Sequence, residues 1–195
     1  MSAGFWTSAE VSPKRKFRFL LTVGNMPNGA TFYTKSVTKP QVTVAPASHK
    51  FLNHTFKYPG SVTWNDVTAT LVDPVSPDAS INLSRILRES GYKPPADVND
   101  TTTISKKNAV AALGTVVITQ IDATDVPVET WTLHNAWISD IQYGSDLSYG
   151  TDELTDLTVK FTYDWASIDT NGRAAEAGPV LGDGNSRYFV PGQSS

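Results

Sequence analysis

A chain of 195 residues without cysteine has room for one domain with a sizeable core, and that fold cannot rest on disulfides or thiolate metal sites. A net charge of -3 argues against tight nucleic-acid binding, which takes dense Lys and Arg to displace counterions. Charged residues make up only 18%, while Ser, Thr, Gly and Pro are plentiful, which is a composition of strands and turns.

In chain order, residues 1–16 read as a polar arm ending in Lys14, Arg15 and Lys16. It is either a solvated tail or a contact to a neighbour. No basic start followed by an apolar run is present, so no signal peptide is expected. No apolar stretch is long enough to span a bilayer, so no membrane anchor is expected either. Phe17, Phe19, Leu21 and Val23 alternate with polar residues and predict a first strand. Residues 25–29 turn the chain, and 31–44 extend it again, with Pro40 breaking that strand, bulging it or placing it at an edge. Residues 45–59 read as a long connection whose Phe51, Phe56 and Tyr58 call for a cover. Residues 62–72 predict a strand with Val67, Ala69 and Leu71 on its core face.

One amphipathic helix is expected over about Pro77–Ser90, with Ser76 as its cap and Pro77 at its first position. Leu83, Ile86 and Leu87 form its apolar stripe, and Gly91 ends it. Residues 97–108 read as a Thr-rich loop, and 110–121 as a strand apolar on both faces. Residues 128–137 return with Trp131, Leu133 and Trp137 on one side. After a Gly-containing turn at 144–150 comes a nine-residue alternation. Leu157, Val159, Phe161, Tyr163 and Trp165 form its apolar row, and Thr158, Lys160, Thr162 and Asp164 its wet row. The expected organisation is one domain over 1–165 and a Gly- and Ser-rich extension over 166–195.

Chemistry is sparse. His49, His54 and His134 have no further ligand at metal-binding spacing. The carboxylates Asp152 and Glu153, and Asp122 and Asp125, sit in turns, where such residues act as turn formers. Gly182-Asp183-Gly184 neither follows a strand nor opens a helix, so it fails as a phosphate loop. No nucleophile elbow is present. The expectation is a non-enzymatic protein without metal or cofactor.

Two segments carry a resemblance. In the first, Phe51-Leu52-Asn53-His54 leads through Phe56, Tyr58 and Gly60 into Val62–Val72 and the helix. In the second, Trp131-Thr132-Leu133 leads through Ala136-Trp137, Gly144, Leu147 and Tyr149 into Leu157–Trp165. In this order they resemble the tail tube protein of contractile-tailed bacteriophages, over about half of the chain. The long Thr-rich loop and the C-terminal extension depart from that family.

The resemblance implies a mainly β protein, an antiparallel β-sandwich or partial barrel with one flanking α-helix. It implies hexameric rings stacked into a hollow tube that conducts DNA inside a contractile sheath. The implied partners are further copies of the chain, a sheath protein, and baseplate and tail terminator proteins. The resemblance further implies that DNA would pass through the lumen without specific binding and that the particle would be a virion tail assembled in the host cytoplasm. The family's inter-ring contact maps onto His49, Phe51, Leu52, Asn53, Phe56 and Tyr58. Thr158, Lys160, Thr162 and Asp164 are the candidates for facing the lumen or a neighbour. A tube initiator near the baseplate, a secretion-system or bacteriocin tube, and a carbohydrate-binding sandwich are the rival readings.

Overall fold

The period-two alternation of the sequence folds into two antiparallel sheets and a separate hairpin. The computed structural model describes residues 13–26, 33–94, 96, 103–144, 146–150, 152–170 and 187–188. The first sheet contains β1 (Phe19–Val23), β6 (Val116–Ile121), β7 (Pro127–His134), β10 (Trp165–Asp169) and β11 (Arg187–Tyr188), in that spatial order. The second contains β2 (Thr34–Val37), β5 (Val67–Val72), β9 (Asp156–Thr162) and β8 (Trp137–Gln142), in that order. The hairpin is β3 (Gln41–Phe51) with β4 (His54–Asn65).

Alternation puts Leu21, Val23, Val116, Ile118, Leu133 and Ala166 on the inner face of the first sheet. They meet Val67, Ala69, Leu71, Leu157, Val159 and Phe161 from the second, all fully or nearly fully buried. Two helices close the core. In α1 (Ala79–Glu89), Ala79, Leu83 and Ile86 are buried; in α2 (Lys106–Leu113), Ala109, Ala112 and Leu113 are. A mainly β sandwich with helical cover is therefore observed. No helix among the described residues is long and apolar enough to cross a membrane.

Several boundaries differ from the expectation. The nine-residue alternation is not one strand: β9 ends at Thr162, the chain bends at Tyr163 and Asp164, and β10 continues in the other sheet. Trp165 is thus not core. It is half-buried and stacks on His134 with ring centroids 3.6 Å apart, while the next residue, Ala166, enters the core. The strand β10, Trp165–Asp169, crosses the expected boundary between residues 165 and 166. The strand read over 128–137 divides at Asn135 (φ 55°), which sends Trp137 into the second sheet. The one read over 62–72 divides at Asp66.

The helix is capped by Asp78, whose carboxylate accepts from the Ile81 N–H at 2.8 Å, and not by Ser76, which precedes a cis peptide bond to Pro77. Asp73 adds a second cap, accepting from the Ala79 N–H at 3.1 Å and from the Ser80 hydroxyl at 2.7 Å. Gly91 does end α1, at φ 110°. Leu87 lies on the flank of the helix and is half-buried, outside the core; Trp131 packs against the core without being enclosed. The expected Thr-rich loop and the start of the expected central strand instead contain α2, capped by Ser105 and ended by Gly114 at φ 75°.

Candidate assembly surfaces

The segment expected to be a loop at 45–59 is most of the β3–β4 hairpin, whose strands are eleven and twelve residues long. Register pairs His49 with Phe56, Ala47 with Tyr58, and Phe51 with His54. Directly paired residues share a face, so His49, Phe51, His54, Phe56 and Tyr58 all stand on one side of the ribbon. Ser48, Lys50, Thr55 and Lys57 take the other. Leu52, at φ 51°, and Asn53 make the turn. His54 and Phe56 meet edge to face at 4.7 Å. Every residue from Gln41 to Thr63 is exposed, Phe51 to 62% and Leu52 to 79%. The structure thus brings the six expected contact residues together at the outer half of one projecting ribbon.

The ribbon has a built kink. Its register shifts between Val44 and Pro46, and Pro46 faces Pro59. Proline has no N–H for the ladder, so it fits at a bulge. Gly60 faces the bulge, and a Cβ there would lie 2.6 Å from the Ala45 carbonyl oxygen. The root is anchored on the bend between β9 and β10. The Tyr163 hydroxyl donates to the Asn65 carbonyl at 2.8 Å, and Thr162 donates to Asp66 at 2.9 Å. Burial pushes the Tyr163 phenol up to about 12, so it stays a donor at any ordinary pH. Asp164 is not in line with the wet row. It lies past the end of β9 and accepts from Lys106 at 2.6 Å and Asn135 at 2.8 Å. The hydrogen bonds from Lys106 and Asn135 hold its carboxyl below the usual range.

The other three wet-row residues do share a face. Thr158 pairs with Thr70 and Gln142, and Lys160 with Thr68 and Asp140; Thr162 follows on the same strand. The outer face of the second sheet is therefore a lawn of threonines with opposite charges set side by side. Its one lysine stands beside Asp140, so the face offers an anion hydroxyls in place of a run of cations.

One cluster was missed from the sequence. Glu129 is 5% exposed at the mouth between the two sheets and takes hydrogen bonds from Lys14, Lys39 (2.8 Å) and the Trp131 indole. Lys39 also reaches Gln120 at 2.7 Å, and Gln120 donates to the Arg15 carbonyl at 3.1 Å. Burial acts to raise the Glu129 carboxyl, but the donors from Lys14, Lys39 and Trp131 outweigh it and hold the group at about 2. The basic cluster of the arm is thereby fastened to the first sheet. The sequence held the signal: Glu129 is in phase with Trp131 and Leu133, on the strand face that points inward. His134 bonds Ser167 at 2.8 Å, and burial lowers its pKa. Among the described residues no group of three or more His, Asp or Glu could hold a metal ion.

No family model matches the chain, and no curated protein matches it. Solved structures do. A chain in the cryo-EM structure of the anti-feeding prophage cap, described as a tube-terminating cap, aligns at TM-score 0.61 and 15% identity, over 87% of this chain and 99% of that one. A chain in the PVC sheath-tube complex of an extracellular contractile injection system, in its extended state, aligns at 0.59 and 14%, again over 87% and 99%. A chain in the six-fold symmetrised baseplate of the anti-feeding prophage aligns at 0.58 and 18%, over 81% and 96%. At these identities the likeness is one of fold, and it spans nearly the whole of each matched chain: this protein has the fold of chains built into contractile injection particles.

Proposed function

We propose that this protein is the structural subunit of a contractile tail tube, forming hexameric rings that stack into a hollow conduit for DNA inside a sheath. The observation that carries the reading is the β3–β4 ribbon. A two-stranded hairpin is marginal alone in water, and this one holds an aromatic face that stays exposed among the described residues. A neighbouring ring supplies the missing cover, with His49, Phe51, Leu52, Asn53, Phe56 and Tyr58 as the contact. The fold likeness to chains in a sheath-tube complex and a tube cap supports the same reading.

The threonine face of the second sheet, with Thr158, Lys160 and Thr162, is assigned to the lumen. A wall without net charge lets a polyanion slide instead of gripping it. The baseplate, the sheath and a terminator are the partners, and the assembled tail is where the protein works. The fold likeness to a chain in a baseplate structure favours one second reading, a tube initiator at the baseplate. Copy number per particle separates the two. Capsid proteins co-purifying with the particle separate a phage tail from a secretion or bacteriocin tube.

The test is negative-stain microscopy of the concentrated full chain. Rings or tubes with a central channel are expected, and a persistent monomer counts against the reading. Phe51→Asp is expected to abolish stacking. Because Phe51 is a surface residue, the monomer keeps its stability to within about 0.5 kcal/mol. Tubes of normal length from this variant would show that the ribbon is not the inter-ring contact.

A further inference from the structure

The mouth between the two sheets stays open along β2 and forms a groove of about 860 Å³. Its walls are Phe17, Phe19, Val37 and Trp131, and its rim carries Lys14, Lys16, Lys35 and Lys39. Lys14 and Lys39 share the single carboxylate of Glu129, and Lys35 pairs with Asp156. Lys16 has no ion-pair partner among the described residues. Four lysines stand against the carboxylates of Glu129 and Asp156, with the charge of Glu153 also acting on Lys35, so the rim of this apolar slot stays net positive.

At the opposite edge of the second sheet, β8 runs into the connection 143–155, which contains no Lys or Arg. Tyr143 fixes the start of this connection beside α1, its hydroxyl 3.0 Å from the Ser84 oxygen. The two limbs close at the base, where a Cβ on Gly144 would sit 3.1 Å from the Thr155 methyl. The returning limb runs close enough to Lys35 for the charge of Glu153 to raise that lysine's pKa, behind the larger effect of the Asp156 hydrogen bond. Among the described residues the outgoing limb has no such tie. Leu147 is 89% exposed and Tyr149 fully so, next to Asp146.

We infer that the outgoing limb, Asp146 to Tyr149, docks into the β1–β2 groove of the next copy of the chain. The groove is apolar with a basic rim, and the limb is apolar with an acidic flank, so shape and charge match. The limb leaves from β8 and the groove lies along β2, the two edge strands of one sheet, so each copy has one surface to give and the other to receive. A head-to-tail contact of this kind closes into a ring or runs on as a filament, and closure into a ring is the part that rests on the tube reading above. The segment at Arg187–Tyr188 pairs with β10, at the far edge of the first sheet from β1, so it does not compete for the slot.

The chain has no cysteine, which makes crosslinking clean. Lys16→Cys and Ser148→Cys are made separately in the full chain and mixed under mild oxidant. The mixture is expected to give a crosslinked heterodimer, and either variant alone little product. Raising salt to about 1 M, where the screening length is about 3 Å, lowers the yield several-fold. Asp146→Lys with Leu147→Asp, on fully solvated positions, abolishes it. Homotypic crosslinks as the main product mean a two-fold contact and overturn the inference. So does a heterodimer that appears only after residues 1–12 are deleted, since the chain's own start would then fill the groove. Rings seen by microscopy without the heterodimer sink the docking and leave the tube reading standing. A heterodimer without rings or tubes does the reverse.

Discussion

Replacing Glu129 by Gln tests the cluster that fastens the arm and the β2–β3 connection to the first sheet. The carboxyl is held at about 2 against an ordinary 4.5. At about 1.36 kcal/mol per unit that displacement corresponds to about 3 kcal/mol of preference for the charged form in the folded state. Both lysines are about half exposed and shed part of their interaction to water, so about 2 kcal/mol is the expected loss at pH 7. For a domain of this size it appears as a melting point lower by about 4–8 °C. The sign with pH follows from the depressed value. The contribution is whole above about 4.5 and disappears as pH falls through about 2. Urea unfolding of both proteins at pH 7, 4.5 and 3, followed by tryptophan fluorescence, measures the difference. The gap between them should narrow steadily below pH 4.5, because the variant has no proton to gain at that site. A variant as stable as the parent at pH 7, or a gap that does not change with pH, refutes the reasoning.

Gly60→Ala puts a methyl group against the Ala45 carbonyl, at a place where the close atom is backbone and cannot swing away. It should cost about 1–3 kcal/mol of local order confined to the ribbon, seen as faster amide exchange across Val44–Val62 with the two sheets unchanged. Asp164→Ala removes the acceptor shared by Lys106 and Asn135 at the bend. Because the carboxylate is partly exposed, the expected loss is only about 1 kcal/mol, read as a shift in urea midpoint at constant m value.

Much of the sandwich was legible because period two is a strong signal. The inward rows of β5 and β9 follow directly from their sequences. The corners were not legible, for a physical reason. At Asn135 and Asp164 the apolar alternation continues in phase across the point where the chain changes sheet, so nothing in the pattern breaks. Trp165 then reads as the last core residue of β9 when it is the first residue of β10. Helix α2 was hidden differently. Its buried Ala109, Ala112 and Leu113 run almost directly into Val116 and Ile118, and the two short elements read as one apolar strand. The ribbon was hidden by Pro46 and Pro59, which mark a loop until a bulge is allowed for. The grouping of His49, Phe51, Phe56 and Tyr58 on one face depends on a turn centred at Leu52–Asn53, and residue types alone do not fix that register. Glu129 was overlooked because a glutamate reads as solvent-facing unless its inward phase is weighed above its charge.

The three corners have a mechanical consequence. Between Asn135 and Trp165 the backbone passes from the first sheet to the second and back again. The sheets are therefore stitched by covalent bonds, not merely pressed together by side chains. A shearing load that slides one layer over the other must first break the hydrogen bonds of Asp164 and Tyr163 at the stitch. The ribbon is rooted at that same stitch, through Asn65 and Asp66. A pull on its tip is thus delivered to a point where the backbone joins the two layers, and both layers share the strain.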